Sequence, residues 1–337
     1  MNRKYRVVLV DGMHGDAPVP ALEEREELAA IGAELVITGG RSEDDVIEMA
    51  ADADAILTYG APMTRRVMEC LPDCQCVVRY GIGYDTVDVE AATDNNVLVI
   101  NIPDFCWEEV SNHALALLLA CAKKMIPLDK KVKQGKWFEA KAAQSPMGSV
   151  YGQTLGIIGC GNIGRTTAKK AGCFGLEVIG YDPYLDDNIA EEHGISLVSL
   201  EELLRKSDYI SIHTALTGET FHLVGEKEFA LMKPSVYVIN TARGPVIDEP
   251  ALIKALREKR IAGAGLDVFE QEPPEPDNPL LKMGNVIALP HSASYSDEAF
   301  SRLRRSVGRE AARVLGGRWP KNLVNQTVRP KKALKKD

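Results

Sequence analysis

Features typical of nucleic-acid-binding and membrane proteins are missing from this chain of 337 residues. The formal net charge is −8 and the isoelectric point is near 5.4, so there is no excess of basic residues to bind nucleic acid. No apolar run approaches the roughly 20 residues that cross a membrane. The apolar stretch near the N-terminus is too short for a signal peptide and predicts a first strand instead. We therefore expect a cytoplasmic protein that binds neither nucleic acid nor membrane.

Cysteine and histidine are not arranged as they are in disulfide-rich or metal-binding proteins. The seven cysteines are an odd number, and Cys121 and Cys160 lie within apolar runs, which is typical of small buried residues in a reducing compartment. Cys70, Cys74 and Cys76 are close together, but no histidine or second cysteine pair completes a zinc pattern. No histidine pair has the H-E-x-x-H spacing. The sequence thus predicts no metal site.

The length of the chain predicts two domains, because a single core rarely keeps growing to this size. Strands and helices alternate within the first hundred residues, which predicts a small α/β domain. Its expected strands are 5–10, 34–38, 55–58, 77–79 and 97–100. The apolar helix 108–122 is expected to be buried, and a second subunit is one candidate to cover it. Residues 136–151 have no clear periodicity and predict a loop.

A glycine-rich turn between a strand and a helix organises the centre of the chain. Gly159, Gly161 and Gly164 form G-x-G-x-x-G, which suits a tight turn, close approach of a pyrophosphate and close helix packing. The N–H groups of Asn162 and Ile163 lie in the first turn of the helix, where they attract anions. The alternative is a glycine turn without a ligand. The strand before the turn and the helix after it favour a dinucleotide site.

The acid at the end of the next strand, 177–181, indicates which dinucleotide is bound. Asp182 stands where this type of fold places a carboxylate on the adenosine ribose hydroxyls, and a carboxylate there would repel a 2′-phosphate. No arginine follows it, since Pro183 and Tyr184 come next. The sequence therefore predicts NAD rather than NADP as the cofactor.

A second glycine loop lies in the first domain, at Arg79-Tyr80-Gly81-Ile82-Gly83. It follows a strand but lacks the third glycine and the second-strand acid of a dinucleotide site. Its N–H groups, including those of Gly81 and Ile82, and the guanidinium of Arg79 could hold a small carboxylate. An ordinary strand-to-helix turn with Arg79 in an ion pair is the alternative, and the residues alone do not decide between them.

Four further strands, 209–213, 236–240, 263–268 and 286–289, predict a doubly wound parallel sheet. Ligands bind beyond the carboxyl ends of such strands. Arg243, Glu272 and His291 follow three of these strand ends.

These three side chains suit hydride transfer to and from a 2-hydroxy acid. The planar fork of Arg243 matches a carboxylate, and His291 is suited to move the hydroxyl proton near neutral pH. Glu272 would orient the imidazole and favour its protonated form. The alternative is that Arg243 pairs with Glu272 to hold loops, while His291 only packs.

The motifs G-C-G-N-I-G, Y-D-P-Y, N-T-A-R-G, G-L-D-V-F-E-x-E-P and L-P-H, in this order and spacing, resemble the D-isomer-specific 2-hydroxyacid dehydrogenase family. The resemblance covers nearly the whole chain. The loop that begins at Arg79 matches the family's substrate loop, and the segment that begins at His291 is similar to the C-terminal-binding-protein branch.

The resemblance implies a two-lobed α/β protein. A doubly wound Rossmann NAD-binding domain, 103–295, would be inserted in a smaller flavodoxin-like substrate domain, 1–102 plus 296–337. Arg243, Glu272 and His291 would be the catalytic residues, and a small anionic 2-hydroxy or 2-keto acid the substrate. Asp267 would meet the nicotinamide carboxamide. Three further residues would line the cofactor, namely Thr214, Thr241 and Ala242. Three would help to bind the substrate, namely Arg79, Gly81 and Ile82. A homodimer through the nucleotide domain is also implied.

Two departures from the family pattern limit what the resemblance implies. Ser294 stands where the corepressor-like branch has a tryptophan. A C-terminal extension like that of long phosphoglycerate dehydrogenases is not expected, nor is regulation by serine.

The competing hypotheses are an NADH-sensing interaction protein and an enzyme that oxidises another small anion, such as formate or phosphite. Shared fold does not separate these functions.

The basic cluster at the end of the chain predicts a solvated, poorly ordered tail, with partner binding as the alternative. It consists of Lys331, Lys332, Lys335 and Lys336.

Overall fold

The computed structural model describes residues 5–14 and 17–336. They form two compact units, one made of Met1–Phe105 with Ser296–Asp337 and the other of Cys106–Tyr295. Each unit is an α/β structure built on its own parallel sheet.

The first unit contains a five-stranded parallel sheet and a short antiparallel pair. Its strands are β1 (Arg6–Leu9), β2 (Met13–His14), β3 (Ala17–Pro18), β4 (Glu34–Ile37), β5 (Ala55–Thr58), β6 (Cys76–Arg79) and β7 (Leu98–Ile100). The sheet order is β4-β1-β5-β6-β7, and β2 pairs only with β3. Without that pair the order is 2-1-3-4-5, as in flavodoxin. The predicted fold class is confirmed, although the two-residue strands β2 and β3 were not expected.

Helices cover this sheet, and the central strands are buried on both faces. The helices before the second unit are α1 (Leu22–Ala29), α2 (Glu43–Ala50), α3 (Arg65–Glu69) and α4 (Val89–Asp94). Helix α2 begins at a capping box, in which the Ser42 hydroxyl accepts from Asp45 N and the Asp45 carboxylate accepts from Ser42 N.

The second unit contains a seven-stranded parallel sheet. Its strands are β8 (Thr154–Ile158), β9 (Glu177–Tyr181), β10 (Ser196–Leu197), β11 (Tyr209–Ile212), β12 (Tyr237–Asn240), β13 (Gly263–Leu266) and β14 (Val286–Ala288). They lie in the order β10-β9-β8-β11-β12-β13-β14. This is the Rossmann order 3-2-1-4-5-6 with a seventh strand added, which confirms the predicted doubly wound sheet.

The helices of the second unit include two that the sequence did not indicate before the glycine turn. They are α5 (Trp107–Ala122), α6 (Met125–Lys133), α7 (Trp137–Ala142), α8 (Asn162–Cys173), α9 (Asp187–Glu192), α10 (Leu200–Lys206), α11 (Glu226–Leu231) and α12 (Glu249–Arg257). The prediction of a loop over 136–151 was wrong for α7. This helix is a single short piece that buries only Ala140, so it leaves no apolar period in the sequence. Among the residues described, no helix has the length and apolar character to cross a membrane.

The apolar helix α5 is buried within its own unit. It packs against α8, β12 and β13, and Gly265 lets Leu117 approach the sheet closely. A second subunit is therefore not needed to explain its burial. The helices α6 and α7 instead carry five exposed apolar side chains, which are Met125, Ile126, Val132, Trp137 and Phe138.

The last helix, α13 (Asp297–Leu315), begins at the cap residue Ser296 and packs on α1 of the first unit. The basic cluster after it is exposed, as expected for a solvated tail, but it is not poorly ordered. The ammonium of Lys331 donates to the carbonyls of Leu71 and Pro72, at 3.0 and 2.9 Å. The backbone of Lys335 bonds with Gly317. Backbone partners elsewhere in the chain hold these residues, and a charge pattern does not show such partners.

A fully buried glutamate connects α1 to the end of β6. Glu24 has no exposed surface, and its Oε1 accepts a 2.6 Å hydrogen bond from the Tyr80 hydroxyl. The ring of Tyr80 stacks on Tyr59 with 4.1 Å between centroids. Burial raises the pKa of the Glu24 carboxyl, and the bond from Tyr80 offsets this only in part. Ionising Glu24 in the folded protein thus costs free energy, so stability should fall as the pH rises through the raised pKa.

We expect Glu24→Gln to raise the free energy of unfolding at neutral pH, because glutamine keeps an acceptor for Tyr80 and cannot ionise. The gain should vanish at pH values below the ordinary pKa of a glutamate, where the wild-type carboxyl is neutral in both states. Glu24→Leu should cost about 1–3 kcal/mol at low pH, since the Tyr80 hydroxyl loses its acceptor. The cost should be smaller at neutral pH, because leucine also removes the penalty for ionising a buried carboxyl. Urea unfolding across the pH range measures both effects, with the exposed Glu48→Gln as control. A Glu24→Gln protein with the wild-type pH dependence would contradict this account.

Candidate active site

The glycine turn after β8 has the close contacts that its glycines predict. Gly159 has φ +90°, and a Cβ there would lie 2.7 Å from the backbone N of Thr214. A Cβ on Gly164 would lie 2.2 Å from the carbonyl oxygen of Gly159. Side chains at these two positions would therefore push the start of α8 away from the turn.

The outer side of the same turn is open. A Cβ on Gly161 would meet no atom of the described residues within 4 Å. Helix α8 begins at Asn162, so the N–H groups of Asn162 and Ile163 belong to its first turn and have no partner within the helix. An open glycine beside a helix N-terminus is the arrangement that accepts a pyrophosphate.

Asp182 follows β9 and contacts the glycine turn directly. Its Oδ2 accepts a 2.9 Å hydrogen bond from Cys160 N, and its Oδ1 accepts one of 3.0 Å from Tyr184 N. Each carboxylate oxygen has a further lone pair, so Asp182 can hold the turn and still accept from a ligand hydroxyl.

Two buried threonine hydroxyls at the ends of β11 and β12 have no hydrogen-bond partner among the described residues. They are Thr214 Oγ1 and Thr241 Oγ1. Both had been predicted to line the cofactor, as had Ala242, whose N–H donates to Asn240 Oδ1. Buried polar atoms without a partner are rare in folded proteins, and a bound polar ligand accounts for them. Together with the open glycine turn, they fit a dinucleotide.

His291 and Glu272 lie in hydrogen-bond contact. His291 Nδ1 is 2.7 Å from Glu272 Oε2, and Glu272 Oε1 accepts a 3.0 Å bond from Phe269 N. Because a carboxylate only accepts, Nδ1 carries the proton and Nε2 is the ring nitrogen that remains for a substrate. His291 has φ +54°, a conformation that is uncommon outside glycine and clusters at functional sites.

Glu272 is held in its ionised form. Burial by itself raises the pKa of this carboxyl, but the bond and charge of His291, the N–H of Phe269 and the charge of Arg243 outweigh it, so the pKa lies below its usual value. An ionised carboxylate beside an imidazole orients the ring and favours a proton on it.

Arg243 follows β12 at the start of a short 3₁₀ turn, Gly244–Val246. Its Nη1 donates to the carbonyl of Ala242 at 2.7 Å, and its own carbonyl accepts from Asn240 Nδ2 at 2.9 Å. A Cβ on Gly244 would lie 1.8 Å from the carbonyl oxygen of Phe269. The loops that carry Arg243 and Glu272 therefore pack backbone to backbone.

Asp267 is fully buried beneath the loop of His291. Its carboxylate accepts from Ser292 N at 2.9 Å and from Ala293 N at 2.7 Å, while its carbonyl accepts from His291 N at 2.7 Å. Burial raises the pKa of Asp267, but His113, 3.4 Å away, and the two N–H groups outweigh it and lower the pKa. The predicted contact of Asp267 with a nicotinamide carboxamide stays a prediction.

The sequence did not indicate that His113 approaches Asp267. His113 lies on α5, far from Asp267 along the chain, and has no motif spacing to it. Only the packing of α5 on β13 brings the two together.

The glycine loop of the first unit is fixed by its carbonyl groups. The carbonyl of Gly81 accepts from Ile102 N at 2.9 Å, and that of Ile82 accepts from Asn101 Nδ2 at 2.6 Å. A Cβ on Gly81 would lie 1.9 Å from Arg79 Nη1, so glycine lets the guanidinium lie over the loop. In the described part of the chain, His, Cys, Asp and Glu form no group of three that could hold a metal ion.

A Rossmann sheet with this turn, and a His–Glu pair beside an arginine at the same sheet edge, define a dinucleotide-dependent oxidoreductase of small anionic substrates. The profile described as "D-isomer specific 2-hydroxyacid dehydrogenase, NAD binding domain" matches residues 115–293, which is more than half of the chain. The chain belongs to the D-isomer specific 2-hydroxyacid dehydrogenase family. It is an NAD-dependent oxidoreductase of 2-hydroxy acids.

Individual relatives agree with this family. A glyoxylate reductase of Korarchaeum cryptofilum is 43% identical over 285 residues, which cover 84% of this chain and 86% of that protein. A D-3-phosphoglycerate dehydrogenase of Methanocaldococcus jannaschii is 37% identical over 333 residues, 98% of this chain and 61% of that protein. The solved structure of a D-lactate dehydrogenase from Aquifex aeolicus, with NAD and lactic acid, is 28% identical, with a TM-score of 0.83 over 95% of this chain and 99% of that one. The similarity to the C-terminal-binding-protein branch stays a prediction.

We expect Glu272→Gln to move the pH profile of keto-acid reduction to lower pH. Reduction needs a protonated ring at His291, and the carboxylate that favours this proton would be gone. Steady-state rates from pH 5 to 9 measure the shift. His291→Ala should lower turnover by roughly 10²–10⁴-fold at every pH, with NADH affinity nearly unchanged. An unshifted profile in Glu272→Gln would exclude the carboxylate from this role.

Proposed function

We propose that this protein uses NADH to reduce small 2-keto acids to D-2-hydroxy acids, with acids of the size of glyoxylate as its preferred class. The observation that carries the proposal is the 2.7 Å His291–Glu272 pair, with Arg243 on the adjoining loop. The 43% identity to a glyoxylate reductase supports the substrate class.

In this proposal Arg243 binds the substrate carboxylate and polarises the C2 oxygen. A guanidinium remains charged at all working pH values and offers two parallel donors to a carboxylate. Its backbone is held by Asn240 and by the packing of Gly244 on Phe269, which supports a fixed direction for the side chain.

His291 donates a proton from Nε2 to the C2 oxygen during reduction and accepts it during oxidation. Glu272 keeps Nδ1 protonated, so that Nε2 is always the nitrogen that exchanges the proton. When bound, NAD(H) supplies or accepts the hydride. We assign its binding to the glycine turn, the α8 N-terminus and the end of β9, with the following residues: Gly159, Gly161, Asn162, Ile163, Gly164, Asp182, Thr214, Thr241 and Ala242.

Arg79, Gly81 and Ile82 of the first unit are proposed to help hold the substrate carboxylate through backbone N–H groups and the guanidinium. The support is the family resemblance and the fixed geometry of this loop. This makes the first unit the substrate-binding domain and the second unit the NAD-binding domain.

A homodimer through the second unit is proposed from its exposed apolar surface. Phe138 is 86% exposed and Trp137 57% exposed, and their helix α7 contacts α6, which carries three more exposed apolar side chains. Apolar patches of this kind mark protein interfaces. A cytoplasmic location is proposed because all seven cysteines are free and five of them are buried.

A role purely as an NADH sensor is not favoured. A sensor needs a cofactor site, but it has no chemical use for an ionised carboxylate that holds a histidine ring, with an arginine on the adjoining loop. The family relationship to named reductases and dehydrogenases points the same way.

We predict that the protein reduces at least one small 2-keto acid with NADH. The loss of NADH absorbance measures this turnover over a panel that runs from glyoxylate to branched keto acids. Arg243→Ala should lower kcat/KM by roughly 10- to 150-fold, the effect of losing a charged hydrogen bond worth about 1.5–3 kcal/mol. The exposed Arg205→Ala on α10 is the matched control. Tight NADH binding without turnover of any acid in the panel would refute the proposal.

We also predict that NADH binds more tightly than NADPH, by roughly 5- to 150-fold, because Asp182 would face the extra phosphate. Fluorescence titration measures both affinities. Asp182→Asn should narrow the difference between the affinities for NADH and NADPH. The amide oxygen of the asparagine can still accept from Cys160 N, so the glycine turn should remain in place. Equal affinities in the wild-type protein would show that Asp182 does not select the cofactor.

A further inference from the structure

A second histidine–glutamate pair lies beside the catalytic one. His222 Nε2 is 2.8 Å from Glu270 Oε1, and the side chains are only 33% and 31% exposed. Neither residue belongs to the proposed set of substrate or cofactor ligands. Exposed ion pairs contribute little to stability because water screens them. This pair is partly buried, so water screens it less.

The backbone around His222 is held in an uncommon conformation. His222 has φ +51°, its N–H donates to the carbonyl of Pro245 at 2.8 Å, and its ring stacks on Phe221 with 3.9 Å between centroids. Pro245 belongs to the 3₁₀ turn that follows Arg243. The ring is thereby fixed on the loop that carries the arginine.

Glu270 connects this ring to the start of α12. Its Oε2 accepts from Glu249 N at 3.1 Å, and its own N–H donates to Glu249 Oε2 at 3.1 Å. Glu249 Oε1 accepts a further bond from Asn278 Nδ2 at 2.7 Å. Glu270 is therefore bonded through its side chain and its backbone to two separate elements.

The position of Glu270 in the chain links these contacts to the catalytic residues. It lies between Phe269, whose N–H donates to Glu272, and Glu272 itself. The backbone of Phe269 and Glu270 also packs on Gly244, next to Arg243. A displacement of Glu270 would move the donor that holds Glu272 and the surface that supports the arginine loop.

We propose that His222 and Glu270 are a positioning pair for the active site. They fix the segment 269–272 so that Glu272 meets His291. They act through Glu272 and touch neither substrate nor cofactor. The inference rests on the proposed function for its kinetic consequence, but its structural consequence can be measured without activity.

The test uses His222→Asn and Glu270→Gln in the full-length protein. Asparagine tolerates the left-handed backbone, so this variant removes the ring without adding strain, and its side chain is too short to replace the bond. We expect kcat for keto-acid reduction to fall by roughly 3- to 30-fold in His222→Asn, with NADH affinity unchanged. Glu270→Gln keeps the shape and one acceptor oxygen for Glu249 N, and its amide N–H can donate to the ring of His222, so its effect should be smaller.

A double-mutant comparison separates positioning from a general loss of stability. If His222 acts through Glu272, then His222→Asn should have little further effect on kcat in the Glu272→Gln protein. The matched control is His193→Asn, since His193 is partly exposed just after α9 and its Nδ1 lies 2.8 Å from the carbonyl of Ile189 in that helix. An equal loss of kcat in both backgrounds would overturn the proposal, as would no loss in either.

Amide hydrogen exchange at Phe269 supplies a readout that does not depend on turnover. We expect exchange at this amide, which is bonded to Glu272, to become faster in His222→Asn and to remain unchanged in His193→Asn. Unchanged exchange in His222→Asn would overturn the proposal even if no keto acid were turned over. If the wild-type protein shows no turnover, but exchange at Phe269 becomes faster in His222→Asn as expected, only the proposed function would be contradicted.

Discussion

The hydrogen bond between His291 Nδ1 and Glu272 Oε2 is the interaction on which the active-site arrangement depends. It joins the loops after two neighbouring strands, β13 and β14, and determines which ring nitrogen can exchange a proton. Both partners need support, because His291 has a left-handed backbone and Glu272 is partly removed from water. Asp267 supports the first through the N–H groups around His291, and the N–H of Phe269 supports the second. A charged hydrogen bond with both partners held in advance loses little entropy when the substrate arrives.

The parallel sheet explains why these groups meet although they are far apart in sequence. Parallel strands all end at one edge, so the residues that follow β8, β11, β12, β13 and β14 must lie along it. Close packing then sets the details: Gly244 allows the arginine loop to touch the backbone of Phe269, and Gly159 allows the turn to pass the backbone of Thr214. A Cβ at either glycine would separate a loop from its neighbour. The chemistry of the edge thus depends on backbone contacts as much as on the reactive side chains.

Much of this could be predicted from the sequence, because the signals were local. The strands 55–58 and 177–181 are short apolar runs, and the structure places them at those bounds. The contacts of Asp267 with His113 and of Glu270 with His222 were not predictable, since each joins residues that are far apart in the sequence and that no motif relates. Helix α7 was missed for another reason. Its length of six residues is too short to show a period.

Hydride transfer at this sheet edge is tested most directly by following an isotope from the cofactor to the product. The wild-type enzyme would reduce pyruvate, or another keto acid with a side chain, using NADH that carries deuterium at the transferring position of the nicotinamide. We expect a 2-hydroxy acid with one deuterium at C2 and with the D configuration, identified by mass spectrometry and chiral chromatography. A product of the L configuration, or one whose C2 hydrogen comes from solvent, would contradict this expectation.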